Sequence, residues 1–82
     1  MNRVPVRVPD LGAGPVRFGL WLVEPGEAVY AGDRLAEILV PAASVDVAAP
    51  ATGIFLDPQA LPRDALQPGQ VVGFIAAEDD ED

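Results

Sequence analysis

The chain contains no cysteine, no histidine and no lysine. Without cysteine there is no disulfide, no thiolate nucleophile and no thiolate metal ligand, a composition that fits a reducing compartment. Without histidine the usual general base and the commonest metal ligand are gone. Without lysine no side chain offers a nucleophilic amine, because all five basic residues are arginine: Arg3, Arg7, Arg17, Arg34 and Arg63. No apolar run approaches the roughly 18 residues of a membrane-spanning helix, and the residues after Met1 do not form a signal peptide's apolar region. The expectation is a cytoplasmic protein that does not enter a membrane.

What is present is acid, proline and glycine. The formal net charge is −8, and five of the thirteen acidic residues lie in residues 78–82. Residues 1–77 therefore carry −3, five arginines against eight acids. Residues 78–82 form a like-charge block that repels itself, and they are expected to be a disordered acidic tail behind a single domain of residues 1–77. A chain of this balance has no basic patch for phosphate, so nucleic acid is excluded as a partner.

Nine prolines and eight glycines divide the sequence into short apolar stretches: residues 4–8, 16–23, 35–40, 45–49, 53–56 and 71–75. None shows a 3.6-residue period. Val45-Asp46-Val47 and Val4-Pro5-Val6-Arg7-Val8 alternate with period two, the mark of half-buried strands. Pro5 has no amide donor and places the first strand at a sheet edge. Short strands separated by turn signals predict an all-β barrel or sandwich.

An internal repeat supports this. Residues 19–38 (GLWLVEPGEAVYAGDRLAEI) and 56–75 (LDPQALPRDALQPGQVVGFI) share one plan at an offset of 37 residues, matching Pro25 with Pro62, Ala28 with Ala65, Gly32 with Gly69 and Ile38 with Ile75. Two such halves can pair about a pseudo-twofold axis, each covering the apolar face of the other, whereas one half alone is an unstable ribbon.

The spaced motifs resemble those of a known family. Val8-Pro9-Asp10-Leu11-Gly12 is similar to the Val-Pro-Asp-Ile/Leu-Gly opening of lipoyl domains in 2-oxo acid dehydrogenase complexes. Trp21-Leu22-Val23 followed by Gly26-Glu27 and Val29 resembles their Trp-x-Val-x-x-Gly-Asp-x-Val stretch. Leu35-Ala36-Glu37-Ile38 looks like the strand that enters the modification hairpin, and Val45-Asp46-Val47 through Pro50 and Gly53 like the one that leaves it. Pro68-Gly69-Gln70-Val71-Val72-Gly73-Phe74-Ile75 resembles the last turn and strand. The likeness runs over about residues 4–75 without a gap. It implies a flattened β-barrel of two four-stranded sheets with pseudo-twofold symmetry. Arg63 stands where the family often has glycine, which implies a differently shaped turn.

The hairpin departs from the family. Its Glu-Thr-Asp-Lys-Ala is replaced by Leu39-Val40-Pro41-Ala42-Ala43, with Ala42 in the place of the lipoyl-bearing lysine. Pro41 suits the second position of a tight turn, so the bend is expected to survive its chemistry. Lipoylation and biotinylation both need an amine, and no cofactor is expected.

Other chemistry finds little support. Ser44, the single serine, lies in a strand pattern with no activating base, and reads as solvent-facing. Asp33 and Asp64 are spaced to satisfy turn amides rather than to act as an acid–base pair. No metal-binding spacing is visible. Phe18, Trp21, Phe55 and Phe74 read as core. Enzymatic activity is not expected.

If Ile38 and Val40 face inward, Leu39 faces out beside Pro41, Ala42 and Ala43. The plainer reading is a small tip with one exposed leucine. The sharper one is an apolar docking surface formed by Leu39, Val40, Pro41, Ala42 and Ala43, used by a protein partner or for self-association. The resulting expectation is a lipoyl-like, non-catalytic interaction module, which the resemblance implies is accessory to a 2-oxo acid dehydrogenase complex. The alternative is a structural biotinyl–lipoyl-like building block of a larger transport or enzyme assembly.

Overall fold

The computed structural model describes residues 2–12 and 14–77; the acidic block at 78–82 lies outside the described residues. Seven strands follow in chain order: β1 (Asn2–Arg7), β2 (Arg17–Trp21), β3 (Ala28–Val29), β4 (Arg34–Val40), β5 (Ala43–Ala48), β6 (Gly53–Leu56) and β7 (Val71–Ala77). No helix forms among the described residues. Two antiparallel sheets result, one ordered β1-β7-β6-β3 and the other β2-β4-β5. The second sheet has three strands rather than four. Its remaining place is taken by Ala65, joined to Arg17 by a single bridge and flanked by the bonds Phe18 N–H to Asp64 O (2.9 Å) and Leu66 N–H to Val16 O (2.9 Å). Ala28–Val29 was not among the apolar stretches, since two residues are too few for period two to be seen.

Proline and glycine punctuation gives the two halves matching turn bonds. Leu22 N–H donates to Leu35 O at 2.8 Å, and Gln59 N–H donates to Val72 O at 2.7 Å. Asp33 accepts from Tyr30 N–H through its carboxylate (2.8 Å), and Gln70 accepts from Gln67 N–H through its amide oxygen (2.9 Å). Glu27 and Asp64 cap the preceding turn in the same way, accepting from Glu24 N–H (3.1 Å) and Leu61 N–H (2.9 Å). Asp33 and Asp64 are thus turn acceptors, as their spacing indicated.

Between the sheets lie Phe18 and Phe55, both fully buried and related by the repeat offset. The Trp21 ring lies 4.8 Å from each of them, tilted by about 45° (46° and 45°). Its indole N–H donates to Ala60 O at 3.1 Å, tying the polar end of the ring to the second half. Leu35, Ile38, Val72 and Ile75 complete the interior with Val6, Val8, Val29 and Val47. Phe74 does not join them. Ile75 and Gly73 face inward, so the pleat turns Phe74 to the outer surface, where the Arg3 guanidinium covers it 4.8 Å from the ring centre. Arg3 also pairs with Asp57.

The expected change of turn at Arg63 does not occur. Arg63 adopts φ 75°, close to the 93° of Gly26 at the equivalent point. Arg63 N–H donates to Phe18 O and Gly26 N–H to Phe55 O, each at 2.7 Å. The bond to the neighbouring half holds the turn in a left-handed conformation that arginine alone disfavours.

Candidate functional site

β4 and β5 form a hairpin whose last pair is Val40 with Ala43, leaving Pro41 and Ala42 as the two-residue tip. Ala42 has φ 61°, and Pro41 is fixed near −65°, the combination of a type II turn. The bend foreseen around Pro41 is therefore made, at the cost of a left-handed alanine. Ile38 is fully buried, Val40 packs partly against the core, and Leu39 turns outward with 42% of its surface exposed. Pro41, Ala42, Ala43 and Ser44 are exposed. The structure thus brings Leu39, Pro41, Ala42 and Ala43 to one outward tip, with Val40 half inside.

Two residues beside this tip were not singled out by sequence reasoning. Pro15, Arg17, Leu39, Val40 and Pro41 line an open hollow of about 300 Å³. The β1–β2 loop lies against the hairpin, so that a Cβ on Gly14 would come within 3.7 Å of the Pro41 ring. Arg17 pairs in register with Leu39, and its guanidinium donates to Arg63 O at 3.0 Å. Only the sheet register reveals this, because Arg17 is 22 positions from Leu39 in the sequence.

A second hollow, of about 360 Å³, is bordered by Thr52, Ile54 and Ala76 among others. These residues stand 37 positions after Pro15, Arg17 and Leu39. The two hollows therefore share three repeat-related lining positions, and a depression beside Leu39 is in part a property of the barrel. What is particular to the hairpin end is its lining: a proline on each side, a half-exposed leucine and a fixed guanidinium.

Among the described residues no group of His, Cys, Asp or Glu is placed to hold a metal ion. No helix of the described residues is long and apolar enough to cross a membrane.

Two packed antiparallel sheets related by a pseudo-twofold axis, with a tight hairpin between the halves, define the barrel-sandwich architecture of lipoyl domains. The solution structure of the lipoyl domain of the 2-oxoglutarate dehydrogenase complex from Azotobacter vinelandii matches with a TM-score of 0.72, over 89% of this chain and 95% of that one. The two sequences are 20% identical, and the likeness establishes the fold. No protein-family model matches the chain, and no curated protein matches its sequence.

The group that gives such domains their name is attached through a side-chain amine. Val40, Pro41, Ala42, Ala43 and Ser44 supply hydrocarbon and one hydroxyl, and the whole chain holds no lysine. These residues do not fit a lipoyl or biotinyl group.

Proposed function

We propose that this chain is a lipoyl-fold protein-interaction module in which the hairpin recognises a partner instead of carrying an acyl group. The carrying observation is the tip itself. Pro41 and the left-handed Ala42 keep the bend, while Leu39 and Pro41, with Pro15 and Arg17 beside them, present an apolar surface with one fixed positive charge. What supports a docking surface is the grouping of Leu39 with Pro15, Pro41 and the Arg17 guanidinium at one hollow, not the exposure of the leucine by itself.

The matched structure belongs to a 2-oxoglutarate dehydrogenase complex, which supports components of a 2-oxo acid dehydrogenase complex as the partner. The role is non-catalytic and accessory, and the cytoplasmic placement expected from the sequence forms part of the same proposal.

The test is affinity capture of those components by the wild-type chain and by Leu39→Glu, alongside the intact mass of the chain isolated from cells. Capture that is lost in the variant, from a chain whose mass equals that of its sequence, is the expected result. Equal capture by both chains, or a mass increment equal to a lipoyl or biotinyl group, overturns the reading.

A further inference from the structure

The hairpin's second strand, β5, has a sheet neighbour on one side only. Ala49 fixes which backbone groups face the open side. Its N–H donates to Asp33 O at 2.7 Å and its carbonyl accepts from Gly32 N–H at 2.9 Å, so both groups point toward the β4 side. In a strand these directions alternate. Val47, Val45 and Ala43 therefore bond inward to β4, and the N–H and C=O groups of Ser44, Asp46 and Ala48 point to the free edge. Outside the β4–β5 ladder, none of those three residues makes a backbone hydrogen bond among the described residues.

The pseudo-twofold axis supplies an internal control. Val8 bonds to Gln70 O (2.9 Å) and accepts from Gly69 N–H (2.8 Å), the same arrangement as at Ala49. Stepping back equally from each places Arg7 with Ala48, Pro5 with Asp46 and Arg3 with Ser44. The β1 edge is thus blunted in the way sheet edges commonly are, by a proline without a donor between two arginines. At the equivalent points β5 has neither proline nor cation. One edge of the same barrel is closed to strand addition and the other is left open.

The charge on the open edge selects the occupant. Glu37 lies directly opposite Asp46 in the ladder, and among the described residues the one cation paired with Asp46, Arg34, is a solvent-exposed partner at 3.4 Å. Like charges facing across a ladder are unfavourable until a cation joins them. A second copy of this chain would bring another Asp46, the proline-blocked β1 or the two-residue β3 to the edge, against a net charge of −8 on each molecule. We infer that β5 accepts an extended, basic segment of another protein as an added strand, bonded to Ser44, Asp46 and Ala48 and carrying Lys or Arg beside Asp46. This edge begins beside the tip, with Ser44 opposite Leu39 in the ladder, but its bonds are made by backbone groups and do not use the leucine side chain.

The experiment is amide hydrogen exchange on the full chain with a capped hexapeptide alternating arginine and valine, and with its glutamate–valine counterpart. The basic peptide is expected to slow exchange at Ser44, Asp46 and Ala48 by about tenfold while the acidic one does not. Asp46→Pro removes one outward donor without touching the β4 ladder, and Pro5 shows that the barrel accepts proline at the equivalent point. That variant is expected to lose the protection, and Asp46→Asn to keep it with weaker binding. Leu39→Ser, which removes the apolar tip without adding charge beside Glu37 and Asp46, is expected to leave it unchanged, which separates failure of the edge from failure of the tip. Unchanged exchange with the basic peptide, equal protection by the acidic one, or undiminished binding by a folded Asp46→Pro overturns the inference. So does protection that rises with protein concentration alone, which would make a second copy the occupant. Should Asp46→Pro not fold, the wild-type exchange pattern decides by itself.

Discussion

Gly26 and Arg63 occupy one and the same turn in the two halves of the barrel, each with a left-handed backbone and each donating its N–H at 2.7 Å to a core phenylalanine carbonyl of the other half. One is a residue that adopts this conformation freely and the other is not. The pair sets a turn adopted freely by glycine beside the same turn held against the preference of arginine.

A Cβ at Gly26 meets nothing within 4 Å, so Gly26→Ala changes conformational preference and little else. It is expected to cost about 1 kcal/mol. Arg63→Gly is expected to gain about 0.5–1 kcal/mol, because the Arg17 contact there is to the Arg63 carbonyl and survives the change. Urea unfolding of both variants checks the opposite signs, and a destabilised Arg63→Gly would refute the strain argument.

Ala42 repeats the reasoning at the hairpin. With φ 61° and an exposed side chain, Ala42→Gly is expected to raise stability by about 0.5–1 kcal/mol, seen as an upward shift in Tm of several degrees. Leu39 and Pro41 are untouched by this change, so partner capture is expected to be unaffected. A lower Tm would show that the tip does not need its left-handed residue.

Gly53 is required for a different reason. A Cβ there would lie 2.3 Å from Ala76 O and 2.9 Å from Ala77 Cα, both backbone atoms of the paired β7. Gly53→Ala must push two strands apart and is expected to cost about 3 kcal/mol or prevent folding. Near wild-type stability in thermal unfolding would contradict the close approach of β6 and β7.

Much of the architecture was readable in the sequence, because the fold is written as local punctuation. Strands end where Pro and Gly stand, and the offset of 37 residues that matches Pro25 with Pro62 and Gly32 with Gly69 is the pseudo-twofold axis itself. Pro5 announced an edge strand, and β1 is one. The outward turn of Leu39 followed from period two. Phe74 was misassigned to the core, because hydrophobicity does not say which side of a pleat a residue takes. Arg17 and Pro15 escaped notice beside the tip, because what joins them to Leu39 is sheet register and the path of a loop.

The sequence alone settled that the molecule would be all-β with twofold repetition, and that no amine would stand at its hairpin. Those are matters of residue type and spacing. Tertiary structure decided that Arg63 would keep the turn of a glycine, since a hydrogen bond to Phe18 from the opposite half imposes it. It also decided that Asp46 would face an open edge where Pro5 closes the equivalent one. The direction of a backbone amide depends on which neighbour a strand has acquired, and that is fixed only when the two halves pack.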